Sequence, residues 1–221
     1  MITRVIPSTS IPLAATSVAI TTLDSPFLNF EIILELLQSH PTTLIISSHF
    51  ANWELLALAL ENRLNGQIKI PFKPSKNPYV NKFIINYRDI KDTLITRKSV
   101  MKTILKYSKM NTNKGHAFLL LTDQSAPPSA SGWNGATTID FLNQPTKFMT
   151  EPEKIAKITK SPMIYAKMKK IKRGYFTVEF IILPNADQHF NATRHAAKIL
   201  EEQIKAQPEL FFWYHNRWKE R

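Results

Sequence analysis

Hydrophobic residues along this chain recur at two spacings, one typical of helices and one typical of strands. From Phe27 to Leu37 they follow helical spacing, and Pro41 ends this predicted helix. The run 42–47 is rich in β-branched and apolar residues and predicts a buried strand. The segment 52–62 is apolar almost all round, which predicts a buried helix.

The same alternation continues towards the C-terminus. It predicts strands at 67–72, 116–122, 137–142, 162–168 and 175–183, and helices at about 78–90, 98–109, 151–160 and 193–206. Residues 125–135 are predicted to form a loop, because Ser, Pro and Gly interrupt them densely.

Short strands that alternate with helices predict an α/β fold with a mixed, largely parallel sheet flanked by helices. We expect residues 1–25, which are rich in Ser, Thr and Pro, to form an irregular lead-in. Residues 26–221 are then expected to form one domain.

Composition and charge narrow the possible functions. With 221 residues, of which 43% are hydrophobic, the chain has enough apolar surface to fold around a core. The net charge of +12 attracts an acidic partner: nucleic acid, an anionic membrane, or a negatively charged protein or substrate. The absence of cysteine excludes disulfides and a thiol nucleophile. Since no apolar run reaches the roughly 18 residues of a spanning helix, we expect a soluble or peripheral chain.

The segment 47–54 carries the most informative polar residues. His49 follows a predicted strand, at the edge where open α/β sheets bind ligands, and Glu54 lies in the first turn of the next helix. A carboxylate there can accept the imidazole N–H and stabilise imidazolium, while the other ring nitrogen takes a proton from an alcohol. A structural His and a Glu that favours the helix dipole are the alternative, and the residues alone leave both open.

Five segments, in order, resemble the lipid A late acyltransferases, the lauroyl and myristoyl transferases of Gram-negative bacteria. His-Phe-Ala-Asn-Trp-Glu at 49–54 is similar to their form of the H-x-x-x-x-D/E motif of glycerolipid acyltransferases. The other segments are the basic block Lys73–Pro78 followed by Arg88, the pair Asp123–Gln124, the stretch from 141–144 through 153–156, and the C-terminal 208–219.

The resemblance implies a glycerolipid acyltransferase-like fold and transfer of a fatty acyl group from acyl carrier protein to a hydroxyl of a lipid A precursor or related lipid. His49 would be the general base and Glu54 its orienting partner. Neither a metal nor a bound cofactor is implied, because the acyl carrier protein thioester is the co-substrate. The implied location is the cytoplasmic face of the inner membrane, against its anionic surface, with this chain peripheral and no nucleic acid as partner.

The resemblance also implies a set of substrate-binding residues. A guanidinium fork matches phosphate oxygens, so the basic block with Arg88 would hold an acceptor phosphate, although a solvated basic face is the alternative. Asp123 follows a predicted strand and would hold Arg88 or order the loop after it. The full set is Lys73, Lys76, Asn77, Arg88, Asp123 and Gln124.

Two other functions stay open at this point. Relatives usually carry a hydrophobic anchor helix before this region, and many have Gly where this chain has Glu151, so an inactive truncated remnant is one alternative. A basic nucleic-acid-binding module is the other, although no recognisable motif supports it.

Three surface segments also allow two interpretations. The basic runs 98–109 and 167–173 suit acidic acyl carrier protein or anionic lipid, and a simple hairpin turn at 169–174 is the alternative. The aromatic cluster at 211–218 suits either a membrane interface or a terminal helix packed on the core.

Overall fold

Seven strands form one sheet in the computed structural model, which describes residues 27–82, 93–110, 114–124, 135–215 and 217–218. Their order is β1-β9-β8-β2-β5-β3-β4, and every neighbouring pair is parallel except β8 and β9. The predicted α/β fold with a mixed, largely parallel sheet is therefore confirmed. The strands are β1 (Phe27–Leu28), β2 (Thr42–Ser47), β3 (Ile68–Phe72), β4 (Leu94–Thr96), β5 (His116–Leu121), β8 (Met163–Lys172) and β9 (Tyr175–Ile182).

Helices cover both faces of this sheet, and a separate hairpin packs beside it. The helices are α1 (Phe30–Ser39), α2 (Trp53–Leu64), α3 (Val100–Ser108), α4 (Glu151–Thr159) and α5 (Asn191–Ala206). The hairpin consists of β6 (Ala136–Phe141) and β7 (Gln144–Met149), and short 3₁₀ turns span Arg97–Ser99 and Pro208–Leu210.

The central strand β2 explains why two helical layers are needed. All six of its residues are buried, and their side chains alternate between two cores. Leu44 and Ile46 pack in the core that α3, α4 and α5 cover, whereas Ile45 packs in the core under α1 and α2. Burying each such side chain stabilises the fold by roughly 1.5–3 kcal/mol.

Polar side chains fix the starts of two helices. The Asn52 side chain accepts a hydrogen bond from the Leu55 N–H at 3.0 Å and so caps α2. The N-terminus of α5 is capped from a different helix: the buried Glu153 carboxylate accepts from the N–H groups of Ala192 and Thr193. It also accepts from the Thr193 hydroxyl at 2.6 Å.

Most predicted elements occur within a few residues of their predicted bounds, and five differ. Strands β1, β4 and β7 are not in the sequence prediction, which begins a helix at Phe27. Strand β8 continues to Lys172, where it joins β9 in the hairpin that the sequence offered for 169–174. In place of a terminal helix, the described residues after α5 form a 3₁₀ turn and then an extended segment.

Some predictions concern residues outside the described ones. They are the lead-in 1–25, the loop 125–135 apart from its last residue, and the part of the predicted helix 78–90 that includes Arg88. Residues 78–82 of that prediction are helical.

Candidate functional site

The loop that follows β2 carries His49 and is held from two sides. Its start is tied to β5, because the Thr122 N–H donates to the Ser47 carbonyl at 3.0 Å. The C-terminal segment binds the other side: Ala51 N–H donates to the Leu210 carbonyl at 2.8 Å, and Phe212 N–H donates to the His49 carbonyl at 3.0 Å. We call residues 208–214 the C-terminal strap.

Ala51 marks the tight turn between this loop and α2. Its φ of 56° lies in the left-handed region, which costs a non-glycine residue free energy unless surrounding contacts hold it. The bridge between Phe50 and Phe211 and the strap's hydrogen bonds supply those contacts. The backbone around His49 is therefore fixed before any substrate arrives.

The His49 ring forms a hydrogen bond with a buried carboxylate. Its Nδ1 lies 2.8 Å from Oδ1 of Asp123, and their side chains are 17% and 5% exposed. An ionised carboxylate only accepts hydrogen bonds. Nδ1 therefore carries the ring proton and donates a hydrogen bond to Asp123. This fixes the tautomer and leaves Nε2 with its lone pair free to accept a proton.

Asp123 reaches His49 because β2 and β5 are neighbours in register. Ser47 at the end of β2 pairs with Leu121 at the end of β5, so the residues two positions further on lie side by side. The sequence analysis proposed Asp123 for the site edge, as a partner of Arg88 or of its own loop. Pairing with His49 is a contact that only the sheet order reveals.

Glu54 lies at the same site, where it lines the cavity beside His49. It occupies the first turn of α2, as the sequence predicts. The described contacts place Asp123 at the Nδ1 position that the sequence analysis gave to Glu54. The orienting role of Glu54 stays a prediction.

Two aromatic rings pack against the imidazole. The Trp53 ring meets it edge-on with centroids 5.0 Å apart, and the Phe212 ring lies 6.2 Å away. Trp53 and Phe212 also contact each other at 5.7 Å. These contacts reduce the exposure of the imidazole to 17%, which strengthens its interaction with Asp123.

A buried polar chain supports the loop from below. The Tyr165 hydroxyl donates to Oε1 of Gln203 at 3.1 Å and lies 3.3 Å from the Ser48 hydroxyl. Burial raises the pKa of Tyr165 well above its ordinary value, so the phenol stays neutral. Gln203 in turn donates from Nε2 to the Met168 carbonyl at 2.7 Å. The residue before His49 is thus connected to β8 and α5.

A cavity of about 340 Å³ opens beside His49 at the carboxyl edge of the sheet. Its walls are mainly apolar, from the ends of β3 and β5 and from the facing helices. Such a cavity is typical of a site for an apolar or amphipathic small molecule. The apolar residues that line it include Ile70, Phe72, Leu119, Leu120, Leu121, Val100 and Ile155.

Cations line the same cavity from two segments. Lys73 follows β3, and Arg97 lies on the 3₁₀ turn before α3. The sequence predicts Lys73 as a binding residue but not Arg97, because the predicted basic helix begins at residue 98. The two cations give the cavity a place for an anionic group.

Of the other predicted binding residues that the structure describes, some line the cavity and others lie outside it. Gln124 lines the cavity, whereas Asn77 accepts hydrogen bonds from the N–H groups of Tyr79 and Val80 and so caps a helical turn. Lys76 is exposed and is not among the cavity's lining residues. Arg88 lies outside the described residues.

Three of the segments that carry the resemblance have structural roles here. The turn of the β6–β7 hairpin is Leu142–Asn143, both with positive φ, within the 141–144 segment. Glu153, in the 153–156 segment, caps α5 as described above. Arg217 lies buried over the Phe148 ring at 4.1 Å, and burial lowers its pKa to about 10. It anchors the chain after the strap to this hairpin.

Within the described residues, no group of three or more His, Asp or Glu side chains is arranged to hold a metal ion. In the same ranges, no helix has the length and apolar content to cross a bilayer.

Fold and site together define an α/β protein in which the His–Asp pair places His49 on a mainly apolar cavity, which Lys73, Arg97, Glu54 and Glu151 also line. A family model described as "Bacterial lipid A biosynthesis acyltransferase" matches residues 14–220. The chain therefore belongs to this family, and membership supports acyltransferase activity in lipid A biosynthesis. No curated protein matches the chain.

Proposed function

We propose that this protein transfers a fatty acyl group from acyl carrier protein to a hydroxyl of a lipid A precursor. One observation carries the proposal: in a chain of this family, a fixed imidazole with a free Nε2 lies at the mouth of an apolar cavity. The cavity suits an acyl chain, and the imidazole suits an alcohol nucleophile.

In the proposed mechanism, Nε2 of His49 takes the proton of the acceptor hydroxyl as its oxygen attacks the thioester carbonyl. A new C–O bond forms, and the tetrahedral intermediate then collapses with cleavage of the C–S bond. The imidazolium returns its proton to the departing thiolate, so the ester and a free thiol are the products. Asp123 stabilises the imidazolium through Nδ1, and Glu54 is the second carboxylate proposed for this task.

Lys73 and Arg97 are proposed to bind a phosphate of the acceptor. Both line the cavity, and their charges match a phosphorylated sugar lipid. Lys76, Asn77, Gln124 and Arg88 complete the proposed substrate surface. This leaves the apolar centre of the cavity for the acyl chain of the donor.

We further propose that the protein works against the cytoplasmic face of the inner membrane. The C-terminal strap exposes Phe212, Trp213 and Tyr214 close to His49, and Tyr214 is 89% exposed. Exposed aromatic residues beside basic ones are typical of proteins that contact a bilayer interface. An acceptor embedded in that bilayer then reaches His49 directly.

The first test measures acyl transfer from labelled acyl carrier protein thioesters to phosphorylated lipid A precursors in bilayers. We expect His49→Ala to lower kcat by about 10²–10⁴-fold with unchanged thermal unfolding. His195→Ala, an exposed His on α5, is the matched control and should behave as wild type.

A folded wild-type chain that transfers no acyl group from any thioester would contradict the proposal and leave the inactive remnant. Binding of one nucleic-acid sequence far above others, without acyl transfer, would instead support the basic binding module.

A further inference from the structure

The hairpin formed by β8 and β9 extends past the edge of the sheet that carries His49. Strand β8 runs parallel to β2 but pairs with it only at Met163–Tyr165, whereas β9 pairs with β1 at Val178 and Glu179. Beyond Met168 and its partner Val178, the two strands pair only with each other within the described residues. The stretch from Met168 to Lys172 extends about 13 Å further.

This projecting end is strongly basic. It carries Lys167, Lys169, Lys170, Lys172 and Arg173 against one carboxylate, Glu179. Lys167 lies 3.8 Å from that carboxylate, whereas the other four have no carboxylate within ion-pair distance in the described part of the chain. Among these cations the side chain of Ile171 is 52% exposed.

The hairpin is also braced against the site. Gln203 of α5 and Gln207, the residue that follows α5, donate to the carbonyls of Met168 and Lys170, at 2.7 and 3.3 Å. The Met168 sulfur accepts a hydrogen bond at 3.2 Å from the backbone N–H of Asn52, which caps α2 just after the His49 loop. A partner that binds the hairpin is therefore held beside the cavity mouth.

We propose that this hairpin, residues 167–179, is the docking surface for the acyl carrier protein. The inference rests on the proposed function, which makes an acidic carrier protein the acyl donor. A rigid basic ribbon with an exposed Ile complements an acidic helical surface that also presents apolar side chains. A thioester arm extending from a carrier docked there enters the adjacent cavity.

Charge distribution favours the carrier protein over the membrane as the occupant of the hairpin. The aromatic residues suited to a bilayer interface lie on the C-terminal strap, whereas the hairpin tip is rich in cations. The aromatic ring of Tyr175, near the hairpin tip, lies under the Lys172 ammonium, which is 4.2 Å from the ring centroid. The two acidic partners of a +12 protein are thus assigned to different surfaces.

The test compares two triple variants with equal loss of charge. One neutralises the hairpin (Lys169→Gln, Lys170→Gln, Lys172→Gln) and the other neutralises exposed lysines on and just after α3 (Lys102→Gln, Lys106→Gln, Lys109→Gln). Titration of labelled holo acyl carrier protein gives the Kd without any need for turnover. We expect the Kd to rise about tenfold for the hairpin variant and less than about twofold for the control.

Two further measurements distinguish carrier-protein binding from membrane binding at the hairpin, and docking from catalysis. Sedimentation with phosphatidylglycerol-containing vesicles should weaken equally in both variants. Turnover of a small acyl thioester, acyl-CoA, should be unchanged in the hairpin variant, because that donor needs no protein docking.

An unchanged Kd, an equal rise in both variants, or a loss of vesicle binding confined to the hairpin variant would overturn the docking proposal. A wild-type chain that binds the carrier through the hairpin yet turns over no thioester would leave docking intact and contradict the proposed function.

Discussion

At the scale of single residues, His49 pairs with Asp123, which is not the carboxylate that spacing along the chain predicts. Glu54 is five positions from His49 and was the natural partner for a local motif. Asp123 is 74 residues away and becomes a neighbour only when β5 pairs with β2 in the observed register. The histidine was predictable, but the hydrogen-bond partner depends on sheet order.

This difference gives a direct comparison of two isosteric variants. Asp123→Asn removes the charge that stabilises imidazolium, and we expect kcat for acyl transfer to fall by about 10²–10⁴-fold. Glu54→Gln should lower kcat less, because Glu54 is not the described partner of Nδ1. Steady-state kinetics with both variants at saturating donor measures the difference.

A larger loss in Glu54→Gln than in Asp123→Asn would show that the local pairing operates during turnover. Circular dichroism of both variants provides the control for folding.

At the scale of elements, α5 depends on a carboxylate from α4. Glu153 is buried and satisfies N–H groups at a helix start whose own N-cap residue, Phe190, provides no side-chain acceptor. We expect Glu153→Gln to destabilise the protein by about 2–3 kcal/mol, because an amide NH₂ group then faces backbone donors. Urea denaturation checks this, with the exposed Glu202→Gln on α5 as control. Equal stability of the two variants would refute the capping role.

Strand β5 begins with a titratable group whose burial gives a pH dependence. Burial, and then repulsion by Lys69, lower the pKa of His116 below its ordinary value of 6.5. As the pH falls below about 6.5, His116 therefore takes up a proton more readily in the unfolded chain than in the folded chain. Proton uptake favours the unfolded state, so the free energy of unfolding decreases as the pH falls.

We expect His116→Gln to flatten the decline in the free energy of unfolding between about pH 7.5 and about pH 5. Urea denaturation at several pH values measures the slope, and His195→Gln on the exposed face of α5 is the control. A slope as steep in His116→Gln as in wild type would contradict this assignment.

The elements that sequence analysis missed share a physical cause. Strand β7 contains Pro145 and Lys147 and lies in a hairpin outside the main sheet, so its hydrophobic signal is weak. Strand β4 has only three residues, none buried. By contrast β2, β5 and β8 have continuous buried runs, because helices cover both faces of the sheet there.

At the scale of the whole molecule, the site joins distant parts of the chain through the C-terminal strap. The strap's hydrogen bonds to the His49 loop use backbone groups, so a composition-based view of its aromatic residues did not reveal them. The sequence offered packing on the core or a membrane interface for these aromatic residues. Phe211 is buried in the core, while Phe212 to Tyr214 are exposed.

The strap's role can be tested at one position. Phe212→Ala keeps the N–H that donates to the His49 carbonyl, whereas Phe212→Pro removes it. We expect kcat to be at least about tenfold lower in the Pro variant than in the Ala variant, because the loop loses its fixed position. Steady-state kinetics and thermal unfolding measure both effects. Equal kcat values would mean that the strap acts only through its side chains.

The strap also has a consequence for the order in which the protein is made. A ribosome adding about 5–20 residues per second completes the His49 loop on the order of ten seconds before Leu210 and Phe212 emerge. Asp123 is synthesised about halfway through that interval. From then on β2, β5 and Asp123 are available, but the His49 loop lacks its last backbone partners. The nascent chain therefore cannot complete the backbone contacts of the His49 loop until residues 208–214 have been synthesised.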